Sequence, residues 1–168
     1  MSSAIFRLCE WLEATPLGVM VRESLWVFPI LVAIHIMGLI FSAGIVVWLD
    51  LRLLGVSMPG VPVSTVYRRL MPLAFSGFAV MFVSGGMLVT GFATSAYHNI
   101  YFFAKMGALL LAALNAFIYH AHIERRIALW DRSPGPPLAA RLAGIISILL
   151  WTTVIMAGRM MAYTLYSR

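Results

Sequence analysis

Residues 26–49 read WVFPILVAIHIMGLIFSAGIVVWL, and the single ionisable side chain among them is His35. A helix needs about 20 mostly apolar residues to cross a bilayer. Three further stretches of similar length and character follow in the chain, at residues 70–92, 100–119 and 142–165. The sequence therefore predicts an all-α integral membrane protein, a bundle of four transmembrane helices forming one domain over residues 1–168.

The composition places most of the protein surface in lipid. Apolar residues make up 62% of the chain and charged residues 11%, whereas a soluble domain averages about 45–50% and about 25%. The net charge of +6 does not indicate a nucleic-acid partner, because no run of Lys and Arg with interleaved aromatics occurs. Cys9 is the single cysteine, which excludes an internal disulfide, covalent haem attachment and cysteine-based zinc or iron–sulfur sites.

The basic residues predict an orientation in the membrane. One side of the predicted bundle receives Arg52, Arg68, Arg69, Arg125, Arg126, Arg132 and Arg141, and the other receives Arg7, Arg22 and Arg168. Loops rich in Lys and Arg stay in the cytoplasm. We therefore expect a multi-pass protein of the bacterial inner membrane, with both termini and the loop around His98 extracytoplasmic.

Two further features predict how the helices are arranged. Residues 3–14 indicate a short amphipathic surface helix, because Ile5, Leu8, Cys9 and Leu12 share one face. The connection between the second and third spans, residues 94–99, is short. Such a connection predicts that these two helices are antiparallel neighbours.

Ionisable side chains within the spans are candidate functional groups, because burying them in lipid is costly. His35, Lys105 and Arg159 lie in the first, third and fourth spans, and His98 lies at the mouth of the third. Helical spacing puts each of the three on a face with small or polar residues, the type that helix contacts in lipid prefer. We expect the bundle interior to bring His35, Lys105, Asn115 and Arg159 together, toward the extracytoplasmic side.

A b-type haem is the cofactor that such a set of side chains would suit. A neutral imidazole binds iron, and His35 is the first candidate ligand. Lys105 and Arg159 could pair with the two propionates. His98 is the candidate second ligand, although it lies about two helical turns shallower than His35. The alternatives are a five-coordinate iron, or a sulfur ligand from Met106 or Met160.

Three stretches of the chain carry a resemblance to known proteins. Residues 28–55, 97–115 and 157–159 resemble a group of uncharacterised bacterial four-helix membrane proteins. The pattern is more distantly similar to the superfamily of copper-resistance protein D and the HemJ-type protoporphyrinogen oxidases. The positions that carry this likeness are His35, Gly38-Leu39, Arg52-Leu53 and Lys105, while Leu54-Gly55 stand where HemJ-type proteins have Tyr-His. The resemblance implies haem b at His35 and a redox role.

The leading interpretation is a haem b membrane subunit that passes electrons between an extracytoplasmic or membrane partner and quinone. A protein partner or a homo-oligomer within the membrane is expected with it. Copper handling is the alternative, with a transfer path through His98, Met156, Met160 and His35, so that His35 and His98 are the metal candidates in either case. A structural anchor subunit without a cofactor and a HemJ-like enzyme also remain open.

Overall fold

The computed structural model describes residues 4–58, 60–123, 127–131 and 135–166, and every regular element within those ranges is a helix. The four long helices are α3 (Val27–Leu53), α4 (Val63–Gly91), α6 (Ile100–Ile118) and α8 (Leu138–Tyr166). The four short helices are α1 (Ala4–Ala14), α2 (Pro16–Glu23), α5 (Ala93–Tyr97) and α7 (Ile127–Trp130). Four helices are long and apolar enough to cross a membrane. The predicted four-span membrane fold is therefore confirmed.

α3, α4 and α8 are longer than the sequence predicts, and most of their extra turns lie at one end of the bundle. That end carries residues 54–58, 60–62 and 135–137, and we call it the Arg52 end. α1, α2 and α5 lie at the other end, the His98 end. α3 runs to Leu53 instead of 49, and α4 begins at Val63 instead of 70. An apolar window stops at the first charged side chains, whereas backbone hydrogen bonding continues a helix beyond the lipid.

The long helices pair through faces of small residues. α6 packs on α8 through the buried Ala108 and Ala112, and the first half of α3 packs on α4. The second half of α3 (Ile45–Leu53) packs mainly on α8. α4 and α6 do not pack closely on each other, so the prediction that they are neighbours is wrong. Each presents its small face to a different partner, α3 or α8, and the short link through α5 does not override that pairing.

The backbones of α3 and α4 touch where α3 changes its winding. Residues Ile40–Gly44 form a π-helical turn within α3. A Cβ atom added to Gly77 of α4 would lie 2.6 Å from the carbonyl carbon of Phe41 and 2.7 Å from the amide nitrogen of Ser42. One turn away on α3, a Cβ on Gly38 would lie 3.0 Å from the Met81 nitrogen. This crossing therefore requires glycine at position 77.

The N-terminal helices close the His98 end. Glu13 of α1 accepts hydrogen bonds from the backbone N–H and the hydroxyl of Thr94, both at 2.7 Å. The predicted N-terminal helix is confirmed as α1, whereas α2 was not predicted. α2 begins with a cap, in which Thr15 Oγ1 accepts a bond from Gly18 N at 3.1 Å and Pro16 follows. The Thr15-Pro16 pair was the available sequence signal for this helix.

Candidate functional site

His35 is held by α4 in a defined hydrogen-bonding state. Its Nδ1 lies 3.1 Å from the hydroxyl oxygen of Ser84. That hydroxyl donates its single proton to the carbonyl of Val80, one turn back in α4, at 2.6 Å. With the hydroxyl proton assigned to this shorter bond, Ser84 accepts from His35, and the imidazole proton is assigned to Nδ1. The lone pair of His35 is therefore on Nε2, the atom that a metal would bind.

Gly85 and Lys105 complete the surroundings of this imidazole. A Cβ on Gly85 would lie 3.0 Å from His35 Cε1, so glycine leaves room for the ring. Lys105 of α6 lies within electrostatic range of His35, and its ammonium group lies against Gly158 of α8. The structure thus brings His35 and Lys105, from the first and third spans, into one region of the bundle, with both side chains half-buried.

Arg159 does not share this region, and the prediction that it lies in the bundle interior is wrong. Its side chain is exposed, donates to the Tyr163 hydroxyl at 3.2 Å and lies over the Tyr163 ring. The inward face of α8 is formed instead by Ser147, Trp151, Val154 and Ala157. Helices in lipid are apolar on both faces, so the polar stripe through Arg159 does not identify the buried side.

His98 is also placed away from an interior position. Its side chain is exposed at the His98 end, where its ring packs against Phe6 of α1 and Tyr97 of α5, with ring centroids 5.6 and 5.2 Å apart. Asn115 donates a hydrogen bond to the Ala143 carbonyl at 3.0 Å, which joins α6 to α8 nearer the Arg52 end. The side chains that were expected together are therefore separated. His35 and Lys105 share one region, Arg159 and His98 are exposed, and Asn115 lies nearer the Arg52 end.

The sulfur ligands considered for iron or copper lie on exposed faces. Met106, Met156 and Met160 are 42%, 58% and 37% exposed. Across the residues that the structure describes, no group of three or more His, Cys, Asp or Glu side chains could hold a metal ion. The arrangement therefore groups no ligands for the copper path.

A cavity of about 480 Å³ lies among the four long helices toward the Arg52 end, and most of its lining residues come from α4 and α6, between which it lies. Its walls are mainly aromatic and aliphatic, and include Phe78, Phe82 and Trp151. Its lining residues with polar side chains are Asp50, Tyr67, Asn115, Tyr119, His120 and Ser147. This volume and lining are typical of sites that bind small apolar molecules. The sequence placed the polar groups at the opposite end, and it gave no sign of a cavity because it predicted that α4 and α6 pack together.

Asp50 is the functional candidate that sequence reasoning missed. Arg52, two residues further along α3, donates to the Val61 carbonyl, at 3.0 and 2.6 Å. Asp50 is 6% exposed, and Ser147 lies within hydrogen-bonding range of its carboxyl group. Within the described ranges, Asp50 Oδ2 is the one buried side-chain oxygen or nitrogen without a hydrogen-bond partner. An acidic residue at the end of an apolar run usually marks the interface, so its burial becomes visible only once α8 packs on α3.

The comparison with protein families gives a match over most of the chain. Residues 8–164 match the family of unknown function DUF6644. The chain belongs to this family. The match covers all four spans, α2 and most of α1, so the whole membrane fold described above is that of a DUF6644 protein. No curated protein matches the chain, and no solved structure does.

Proposed function

We propose that this DUF6644 protein is a haem b subunit of a bacterial inner membrane, which passes electrons between an extracytoplasmic or membrane partner and quinone. The observation that carries the proposal is the hydrogen bond from His35 Nδ1 to Ser84, because it leaves Nε2 as an iron ligand. Histidines that bind metals nearly always donate their other ring N–H to a fixed acceptor. The haem would supply a one-electron redox centre, and the protein would hold and orient it.

The surroundings of His35 also support haem binding. A haem carries two propionates, and Lys105 offers a cation in the region of the imidazole. Gly85 lets the imidazole ring lie close against the α4 backbone, because a Cβ there would lie 3.0 Å from His35 Cε1. His98 and Arg159 are given no part in holding the haem, because both side chains are exposed and lie against other aromatic groups. The iron in this proposal has one protein ligand, His35.

The proposal includes an orientation. Arg68, Arg69 and Arg141 are exposed at the Arg52 end, and basic residues concentrate on the cytoplasmic side. The Arg52 end would face the cytoplasm, and α1, α2 and α5 would face the periplasm. The distant relation to copper-resistance protein D and the HemJ-type oxidases belongs to this proposal as well, and it rests on the sequence likeness alone.

Difference spectroscopy on the purified protein tests the proposal. The protein is expressed with haem supplementation, and reduced-minus-oxidised spectra and haem content are measured. We expect a b-type spectrum that disappears in His35→Ala. Ser84→Ala should weaken haem affinity about 10–100-fold, the usual effect of losing a partner of a ligating histidine.

Ser76→Ala is the matched control. Ser76 lies on the same helix and is exposed, and its hydroxyl donates only to the backbone carbonyl of Leu73 in that helix. This variant should therefore bind haem like the unaltered protein. A featureless spectrum of the supplemented protein would overturn the proposal. A b-type spectrum that is unchanged in His35→Ala would overturn the assignment of the ligand.

A further inference from the structure

We propose that the cavity between α4 and α6 binds a lipophilic hydroquinone, with Asp50 and Asn115 accepting hydrogen bonds from its hydroxyl groups. This inference rests on the proposed function for the kind of redox molecule that the protein would meet. It uses none of the residues assigned to the haem. The two proposals can therefore fail separately.

The size and walls of the cavity set the first condition on the ligand. About 480 Å³ accommodates a substituted six-membered ring and the start of a chain, within the usual range for small-molecule sites. Phe75, Phe78, Phe82 and Phe117 line it, and aromatic rings favour a flat apolar partner. α4 and α6 do not close on each other here, so the ligand could enter between them from the bilayer.

The polar lining sets the second condition, which is that the ligand must donate hydrogen bonds. In its ionised form Asp50 can only accept hydrogen bonds, and its carboxylate oxygen Oδ2 has no partner within the described residues. Asn115 uses its amide N–H on the Ala143 carbonyl at 3.0 Å, which leaves its amide oxygen as an acceptor. Both residues line the cavity. A molecule that only accepts hydrogen bonds would leave the buried Oδ2 of Asp50 unsatisfied, which is costly.

The charges at this end of the bundle favour a neutral donor over a cation. Arg68, Arg69 and Arg141 lie at this end, and Arg52, two residues from Asp50, is itself buried at 7% exposure. A second cation brought into the cavity would be repelled by them. Of the neutral lipophilic donors, a hydroquinone combines a flat ring with two hydroxyl groups. The oxidised quinone has acceptors only, so the site should discriminate between the two redox forms.

Direct binding with a matched pair of probes tests this inference. The probes are a decyl-substituted dimethoxy-methyl-benzohydroquinone, kept reduced under argon, and its di-O-methyl ether, which has the same ring but no donor. Equilibrium dialysis against the purified protein in detergent measures both affinities. We expect the hydroquinone to bind at least tenfold more tightly, the effect of about one hydrogen bond to a charged group.

Two variants locate the site. Asp50→Leu should keep the fold, because an apolar side chain replaces a buried carboxylate that has no ionic partner, and it should reduce the tenfold preference to about one. Ala113→Phe places a ring in the cavity that Ala113 lines and should abolish binding of both probes. Ala104→Phe, on an exposed face of the same helix, should leave both affinities unchanged.

The result does not depend on haem, because binding and not absorbance is measured. Equal affinities for the two probes in the unaltered protein would overturn the inference. So would a preference that survives in Asp50→Leu, or affinities in Ala113→Phe that match those in Ala104→Phe. A protein that shows no haem spectrum but binds the hydroquinone as expected would overturn the proposed function and not this inference.

Discussion

Gly77→Ala tests the contact between α3 and α4 that positions His35. The added Cβ would lie 2.6 Å from the carbonyl carbon of Phe41, whereas ordinary contacts begin at 3.4 Å. The atoms in the way belong to the α3 backbone, so the two helices must separate by about 0.8 Å. Forcing one methyl group into a packed interface costs about 1–3 kcal/mol.

Gly86→Ala is the matched control on the same helix. A Cβ at this position would meet no atom within 4 Å. Both variants gain the same helix propensity, about 1 kcal/mol for Gly to Ala. The difference between the two variants isolates the clash. We expect the free energy of unfolding of Gly77→Ala to be about 1–3 kcal/mol lower than that of Gly86→Ala.

The assay is reversible unfolding in mixed micelles, with an SDS titration of the purified variants followed by far-UV circular dichroism. The separation of α3 and α4 should also break the hydrogen bond between His35 and Ser84, because its length of 3.1 Å is already near the usual limit of about 3.2 Å. Haem content should therefore fall in Gly77→Ala and not in Gly86→Ala. Equal unfolding free energies in the two variants would refute the reasoning.

Two further outcomes follow from the ends of the bundle. Glu13→Ala removes both hydrogen bonds to Thr94, which are worth about 2 kcal/mol together for a half-buried acceptor. Amide hydrogen exchange over residues 4–14, measured by mass spectrometry, should therefore accelerate about 30-fold, while Glu10→Ala, at an exposed position, should have no effect. Equal protection in the two variants would contradict the docking of α1. In a Cys9→Ser background, Ser95→Cys should react with a membrane-impermeant maleimide on intact bacteria, and Gly60→Cys should react only after lysis. The reverse pattern would show that the His98 end, and not the Arg52 end, faces the cytoplasm.

The four spans could be predicted from sequence because bilayer thickness sets their length and hydropathy reveals it. The pairing of the spans could not. α4 has small residues at Gly77 and Ser84 and α6 at Ala108 and Ala112, and nothing in the sequence states which partner receives each face.

The candidate site was predictable only in part, for the same reason. His35 and Lys105 could be found because an ionisable side chain in a span is rare. Arg159 was placed inward because it is polar, yet a residue near a helix end can reach the interface from an exposed face. The importance of Asp50 depends on the approach of Gly144 in α8, where an added Cβ would lie 3.2 Å from the Asp50 carbonyl oxygen. That approach follows from helix pairing and not from local sequence.

The π-helical turn at Ile40–Gly44 has a consequence for the geometry of α3. His35 and Asp50 are fifteen residues apart, and an unbroken helix at about 100° per residue would offset them by about 60° in one direction. A wide turn absorbs about one extra residue, which moves Asp50 to about 40° on the other side of His35. The half of α3 with His35 therefore faces α4, and the half with Asp50 faces α8. The π-helical turn therefore sets the rotation of one half of α3 relative to the other. A helical wheel drawn through all of α3 assigns one of the two halves to the wrong face.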